Sequence, residues 1–332
     1  MKAKKRILWI DYIKGICMMV IILNHIPGLP LLARLTYPFE LLGFFFVGGY
    51  TFSIKYDFGN YLRNKAKRLV FPVFAFGFVN LILALPVKNV NFVERIKGVV
   101  FQLPGQYDDM WFVACLFTME LLLYPLLRLI KLTWMRISFV LLGTIFAIVW
   151  VVTTDIQLPW HVLNALFFLP IVLLGYLANK WGIVEAWRNN IQVHSEWKLV
   201  PVMLYLASVF AFDNWPIDIH LLQYGNILAF VVSSIFGLWM VISITIWLER
   251  FDTSKLANAI KFVGKNSLAY YGMQSKVISL LIFTLSMTNA TIPMVISKLG
   301  IWIVALIVLA GLTYMINRWF PFMVGSFNSN QK

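Results

Sequence analysis

The segment IDYIKGICMMVIILNHI, residues 10–26, is apolar enough to cross a membrane, yet it carries Asp11, Lys14, Asn24 and His25. An imidazole, with an ordinary pKa near 6.5, takes up and gives back a proton close to neutral pH. An ammonium group binds an anion or neutralises a carboxylate. Lys14 and His25 are eleven residues apart, which at 100° per residue is three turns plus about 20°. Both therefore fall on one helical face, with a rise of about 16 Å between them. Asp11 lies within about 40° of the same stripe, whereas Asn24 points about 100° away from His25, toward a bond with a neighbouring helix. Plainer roles exist for the same residues. Asp11 and Lys14, at i and i+3, suit a local ion pair that reaches the cytoplasmic surface, and a lone interfacial histidine is ordinarily structural. The spacing alone leaves proton transfer and these plainer roles open.

Ionisable groups inside a lipid-spanning helix cost roughly 2.5–3.5 kcal/mol each on insertion scales and face the bundle interior or a watery cavity. The rest of the chain makes lipid their setting. Of 332 residues, 61% are hydrophobic and 13% charged, with a mean hydropathy of +0.80, too little polar surface for a soluble globule of this size. The apolar runs are about 20 residues long, the length that crosses roughly 30 Å of hydrocarbon as helix, and they lack the strand-length alternation of a barrel. The expected fold class is all-α, a polytopic membrane helical bundle. Ten spans are expected, at 7–27, 35–54, 69–87, 110–130, 137–153, 160–178, 199–212, 221–248, 267–287 and 297–317. The span at 199–212 is short and runs into FDNWPID; if it did not cross, the C-terminal half would invert. Residues 1–332 read as one integral-membrane domain without a separate soluble domain, since the longest interruptions are 88–109 and 179–198. Within the first, VNFVERIKGVVFQL (90–103) reads as an amphipathic helix, in the outer interface or packed on the bundle.

Charge gives the orientation. With both termini cytoplasmic, 21 of the 28 Lys and Arg residues face inward, against Arg34, Lys88, Arg95, Lys97 and Lys298 outside and Lys14 and Lys276 within spans, as the positive-inside rule requires. The net charge of +14 is then a matter of topology and contact with anionic lipid, and calls for no nucleic acid. Cys17 and Cys115 fall inside spans and read as small buried apolar residues, so no disulfide framework is indicated. No A-x-A-like site follows the first span, which reads as an uncleaved helix. Besides Asp11 and Lys14, the ionisable groups within spans are Glu40, Glu120 and Lys276. His161, His194 and His220 have no close ligand spacing, so no metal is expected. The outer residues Trp160, Trp215, Asp108, Asp109, Asp155, Asp213 and Asp218 suit either an interfacial aromatic belt or carbohydrate binding.

Five phrases occur in order. DYIKGICMMVIILNHI carries a basic residue, ten intervening residues and a histidine. GFFFVGGYTFS (43–53), YLRNKAKRLVFPVF (61–74), MWFVACLF (110–117) and FVGKNSLAYYGMQSK (262–276) follow. Together they resemble the acyltransferase-3 family of polytopic membrane acyltransferases, and DYIKG is particularly like its branch related to fucose 4-O-acetylases. The chain departs from the family pattern at three points: Lys14 stands where arginine is frequent, Gly48-Gly49 where Ser-Gly is usual, and Gln274 where a histidine often closes the last phrase.

The resemblance implies an O-acyltransferase, most often moving acetyl from acetyl-CoA to a hydroxyl of a cell-envelope saccharide. A sugar hydroxyl is a poor nucleophile at neutral pH, so a general base is needed. His25 is the candidate, as base or as acyl carrier, and Glu40 is the candidate carboxylate to orient it. Lys14, with Arg63, Lys67 and Arg68 at the cytoplasmic mouth, is expected to hold the CoA phosphates. Acetyl-CoA enters from the cytosol while His25 lies toward the outer face, so either the pantetheine arm threads a central cavity beside Lys14 or His25 sits deeper in the membrane than hydropathy implies. A transporter or flippase of a lipid-linked saccharide would also bury charges, but it would not require the ordered phrases around His25.

Overall fold

Without water to satisfy them, backbone N–H and C=O groups in hydrocarbon must pair within the segment, which makes helices of apolar runs. The computed structural model describes residues 7–83, 91–105, 109–212, 216–287 and 294–327. The charges expected at Lys2, Lys4, Lys5, Arg6, Lys88, Asp108, Asp213 and Lys332, and Trp215, lie outside the described residues. The helices are α1 (Leu8–Asn24), α2 (Pro30–Glu40), α3 (Leu42–Tyr50), α4 (Phe58–Lys65), α5 (Phe71–Leu83), α6 (Phe92–Phe101), α7 (Trp111–Leu129), α8 (Thr133–Thr153), α9 (Val162–Lys180) and α10 (Ile183–Val193). They continue with α11 (Leu199–Ala211), α12 (Ile227–Leu248), α13 (Lys255–Lys265), α14 (Ser267–Met287) and α15 (Met294–Trp319).

Helices α2 and α3 stack into one stretch, Pro30–Tyr50, and α4 joins α5 through a π-helical turn at Ala66–Val70 to make Phe58–Leu83. Among the described residues these and six others, Trp111–Leu129, Thr133–Thr153, Pro159–Lys180, Ile227–Phe251, Ser267–Leu285 and Ile296–Trp319, are long and apolar enough to cross a membrane. The chain is thus a multi-pass, all-α membrane protein with eight such helices. The other two expected spans form shorter helices, α1 of 17 residues and α11 of 13.

Two boundaries differ from expectation for identifiable reasons. The helix expected at 69–87 begins at Phe58, because Asp57 caps it by accepting from Asn60 N at 3.2 Å and the basic run RNKAKR is itself helical. The one expected at 221–248 begins at Ile227, where Asn226 accepts from Ala229 N at 3.0 Å. The residues before it form a two-residue antiparallel ladder, Ile217 opposite Tyr224 and Asp218 opposite Gln223. In the interruption at 179–198 the amphipathic α10 forms. The amphipathic segment at 90–103 folds as α6, capped by Asn91 and laid on α5 where Gly77 leaves room for Val99.

Two backbone-to-backbone contacts fix the centre. A Cβ at Gly264 of α13 would overlap the Asp11 carbonyl, and one at Gly15 of α1 the Ile260 carbonyl. In the same way Gly49 of α3 lies on the Val172 carbonyl and Gly175 of α9 on that of Phe46. Small residues let helices approach this closely in lipid, where packing replaces the hydrophobic drive. The main apolar cluster runs from Trp9 to Met323, and a small second one joins Tyr12 of α1 to Ala257 and Ile260 of α13.

Candidate functional site

Between α1, α3, α7 and α14 lies a partly open cavity of about 190 Å3. On the α1 side it is lined by Lys14, Met18 and Ile21, at i, i+4 and i+7, the stripe that His25 continues at i+11. Phe44, Leu69, Phe112, Val113 and Leu116 close it with apolar surface, and Ser267, Leu268 and Tyr271 line it from α14. Lys14 is half-buried at this wall.

His25 ends α1, and its Nδ1 donates to the Ile21 carbonyl at 2.8 Å. A carbonyl only accepts, so Nδ1 carries the hydrogen and Nε2 keeps its lone pair. The ring is exposed beyond the helix end. The Asp109 carboxylate lies within electrostatic reach of it. Asp109 in turn accepts from Asn80 Nδ2 at 2.8 Å and pairs with Lys276 Nζ at 3.3 Å. This accounts for Lys276, one of the ionisable groups expected within a span.

Glu40 is buried, and its carboxylate accepts a short hydrogen bond from Asn24 Nδ2. Asn24 also donates to Thr36 Oγ1 at 2.7 Å, so it bonds the neighbouring helix as its direction predicts. Glu40 therefore holds the last turn of α1 to α2, while the nitrogen of His25 that a triad carboxylate would take is bonded to Ile21. Glu120 is buried against Lys65, and Tyr61 donates to its carbonyl at 3.2 Å. Arg63, Lys67 and Arg68 are exposed, Arg68 next to the cavity-lining Leu69. The C-terminal turn lies on this segment: Lys67 Nζ sits 5.8 Å above the Phe327 ring, and Gly325 rests on Arg68 Cα.

Sequence reasoning passed over Asn80 and did not connect Asp109 to His25. The signal for Asn80 was a lone amide inside the apolar run FVNLIL. Gln274 lies seven residues after Ser267 and three after Tyr271, on the cavity face of α14. It is 2% exposed, and its Oε1, like Asn80 Oδ1, is buried without a hydrogen-bond partner among the described residues.

A half-buried lysine lines the cavity, exposed basic residues flank Leu69, and an oriented histidine ends the same helix, all within a multi-pass membrane protein. The chain belongs to the acyltransferase-3 family: the model of that acyltransferase domain matches residues 7–318. It is a membrane acyltransferase. No curated protein and no solved structure matches the chain.

Proposed function

We propose that the chain moves an acetyl group from cytoplasmic acetyl-CoA to a hydroxyl of a cell-envelope or exported saccharide, as one ten-span unit in a bacterial cytoplasmic membrane with both termini inside. The observation that carries this reading is the cavity lined by Lys14 and Ile21, the residue whose carbonyl orients His25. At about 190 Å3 it is smaller than the roughly 300–1,000 Å3 of a site for a drug-sized ligand. It suits the narrow acyl-pantetheine end of the donor, and the nucleotide end stays with exposed cations. Lys14, Arg68, Arg63 and Lys67 supply positive charge for the phosphates. Gln274 Oε1 offers a buried acceptor to a donor group of either substrate.

His25 does the proton work. Nε2 takes the proton of the acceptor hydroxyl as its oxygen bonds to the thioester carbon. The C–S bond breaks, and the departing thiolate receives that proton from the imidazolium. Glu40 acts as a positioning residue through Asn24, and Asp109 provides negative charge near the ring. The DYIKG phrase favours the branch related to fucose 4-O-acetylases.

The test is release of free CoA thiol from acetyl-CoA by protein in lipid nanodiscs, with a panel of envelope glycans as acceptors. A positioned general base contributes about 10²–10⁴-fold, so His25→Ala should lower acceptor-dependent release by at least about 100-fold. Equal release from both proteins would remove His25 from the chemistry, and no release with any saccharide would remove the saccharide reading.

A further inference from the structure

The outer end of the bundle holds a second polar site that acyl transfer at His25 does not use. A groove of about 310 Å3 opens there, lined by Thr154, Asp155, Gln157, Asn164, His220 and Gln223. Left-handed backbone is costly for any residue with a Cβ and collects at functional sites. Among the described residues only four non-glycines adopt it: Gln102, Trp160, His161 and Leu222, with φ of 48°, 56°, 51° and 55°. Leu222 lines the groove, Gln102 lies two residues before the groove residue Pro104, and His161, which follows Trp160, packs against its histidine.

Buried bonds hold this arrangement in place. Asn164, 1% exposed, donates to the carbonyls of Ile219 and His220 at 2.9 and 3.0 Å, and Thr118 Oγ1 donates to the Trp160 carbonyl at 2.8 Å. The rings of Trp111, His161 and His220 stack mutually, with centroids 4.9–5.4 Å apart. Trp111 also ties the groove to the first site. It packs on His220, its neighbour Phe112 lines the cavity beside Lys14, and Asp109, two residues before it, lies within electrostatic reach of His25.

We propose that this groove binds a neutral sugar unit of the acceptor, presenting a hydroxyl of the same glycan toward His25. The proposal rests on the acceptor being a saccharide. Amide, hydroxyl, carboxylate and imidazole groups match the mixed donors and acceptors of sugar hydroxyls, and Leu221 and Leu222 offer apolar surface to a pyranose face. Among the described residues no lysine or arginine lines the groove, which disfavours phosphorylated or sulfated ligands.

Gln157 is exposed at the rim and the native Cys17 and Cys115 are buried, so Gln157→Cys introduces the one reactive thiol. Its maleimide labelling is followed in nanodiscs with lactose, with cellobiose and with glucose 6-phosphate. A Ser195→Cys protein serves as control. The neutral disaccharides should slow labelling of Gln157→Cys at least threefold, with glucose 6-phosphate and the control unaffected. Gln157→Ala combined with Gln223→Ala should raise the KM for a transferred glycan at least tenfold. Labelling indifferent to both disaccharides, or slowed equally by the phosphorylated sugar, would overturn the proposal. Protection without thioester consumption by the wild type would keep the groove and remove the acetyl-transfer reading. Acetyl transfer to a glycan with neither protection nor a changed KM would do the reverse.

Discussion

The Ile21 carbonyl holds Nδ1 of His25 and leaves the lone pair on Nε2, the nitrogen that the proposed reading uses as base. This geometry assigns Glu40 a different task from that of a triad carboxylate. Glu40→Gln keeps an acceptor for Asn24 and should retain turnover within about threefold. Glu40→Leu leaves a buried amide unpaired, which costs about 1–3 kcal/mol, and should lower the melting temperature and turnover together. A loss of turnover in Glu40→Gln at unchanged melting temperature would return Glu40 to the chemistry. Arg68, exposed beside Leu69, is assigned to donor binding in the proposed reading. Its replacement by Ala should raise the KM for acetyl-CoA about tenfold, the equivalent of about 1.4 kcal/mol for a charge-assisted contact, with kcat retained. Arg68→Lys, which keeps the charge but loses the planar fork, should fall between. The stripe from Lys14 to His25 was legible in the sequence because the two residues are type-specific and periodic. The Asp109–Asn80–Lys276 cluster was not, because its members come from three distant segments and no local spacing links them.

Helix packing explains two of the ordered phrases without chemistry. Gly15 of DYIKG and Gly264 of FVGKNS face the Ile260 and Asp11 carbonyls, so these glycines serve the α1–α13 contact. Gly48 and Gly49 separate the same way. A Cβ at Gly48 would stand 3.1 Å from a Leu116 methyl, whereas one at Gly49 would overlap the Val172 carbonyl. Gly48→Ser should therefore change stability by less than about 1 kcal/mol, while Gly49→Ala should cost about 1–3 kcal/mol or more, as overpacking does; thermal melts in nanodiscs separate the two. The α12–α13 turn adds a pH-dependent tie to α1. Asp252 accepts from Lys261 and from Tyr12 at 2.7 Å, and these bonds hold its carboxyl below the usual range. Its stabilisation is present above the unfolded pKa of about 3.9 and is lost as pH falls through the lower folded value. Melting temperature should drop below about pH 4 in the wild type and drop less in Asp252→Asn. Hydropathy did not mark α10 and α13 because each buries only one stripe, and that signal is diluted when a window is scored for membrane-spanning length.

At the scale of the molecule, crossing number rests on where the two short helices begin and end. One end of the bundle is marked by Trp9 N–H donating to Glu249 at 3.0 Å and by Arg188 pairing with the same carboxylate. Lys198, just before α11, lies 5.1 Å above the Trp247 ring at this end. The opposite end is marked by His220 against Trp111. Arg34, in the helix that follows His25, donates to the Val209 carbonyl in the last turn of α11 at 2.9 Å. Thirteen residues of α11 rise only about 20 Å, short of a 30 Å hydrocarbon core, yet the helix joins the two marked ends, as α1 does from Trp9 to His25. From sequence the positive-inside count argues for ten spans because it integrates many weak preferences, whereas the 13-residue helix offers hydropathy too short a window. If α11 crosses, residues on its two sides face opposite compartments. In sealed vesicles, thiols at Ser195→Cys and Gln223→Cys should then react with a membrane-impermeant maleimide from opposite sides, Ser195→Cys from the cytoplasmic one. Labelling of both from one side would leave α11 in the interface and reverse every crossing after it. That reversal would put the groove around His220 in the cytoplasm, on the same side as the acyl donor and away from an exported glycan.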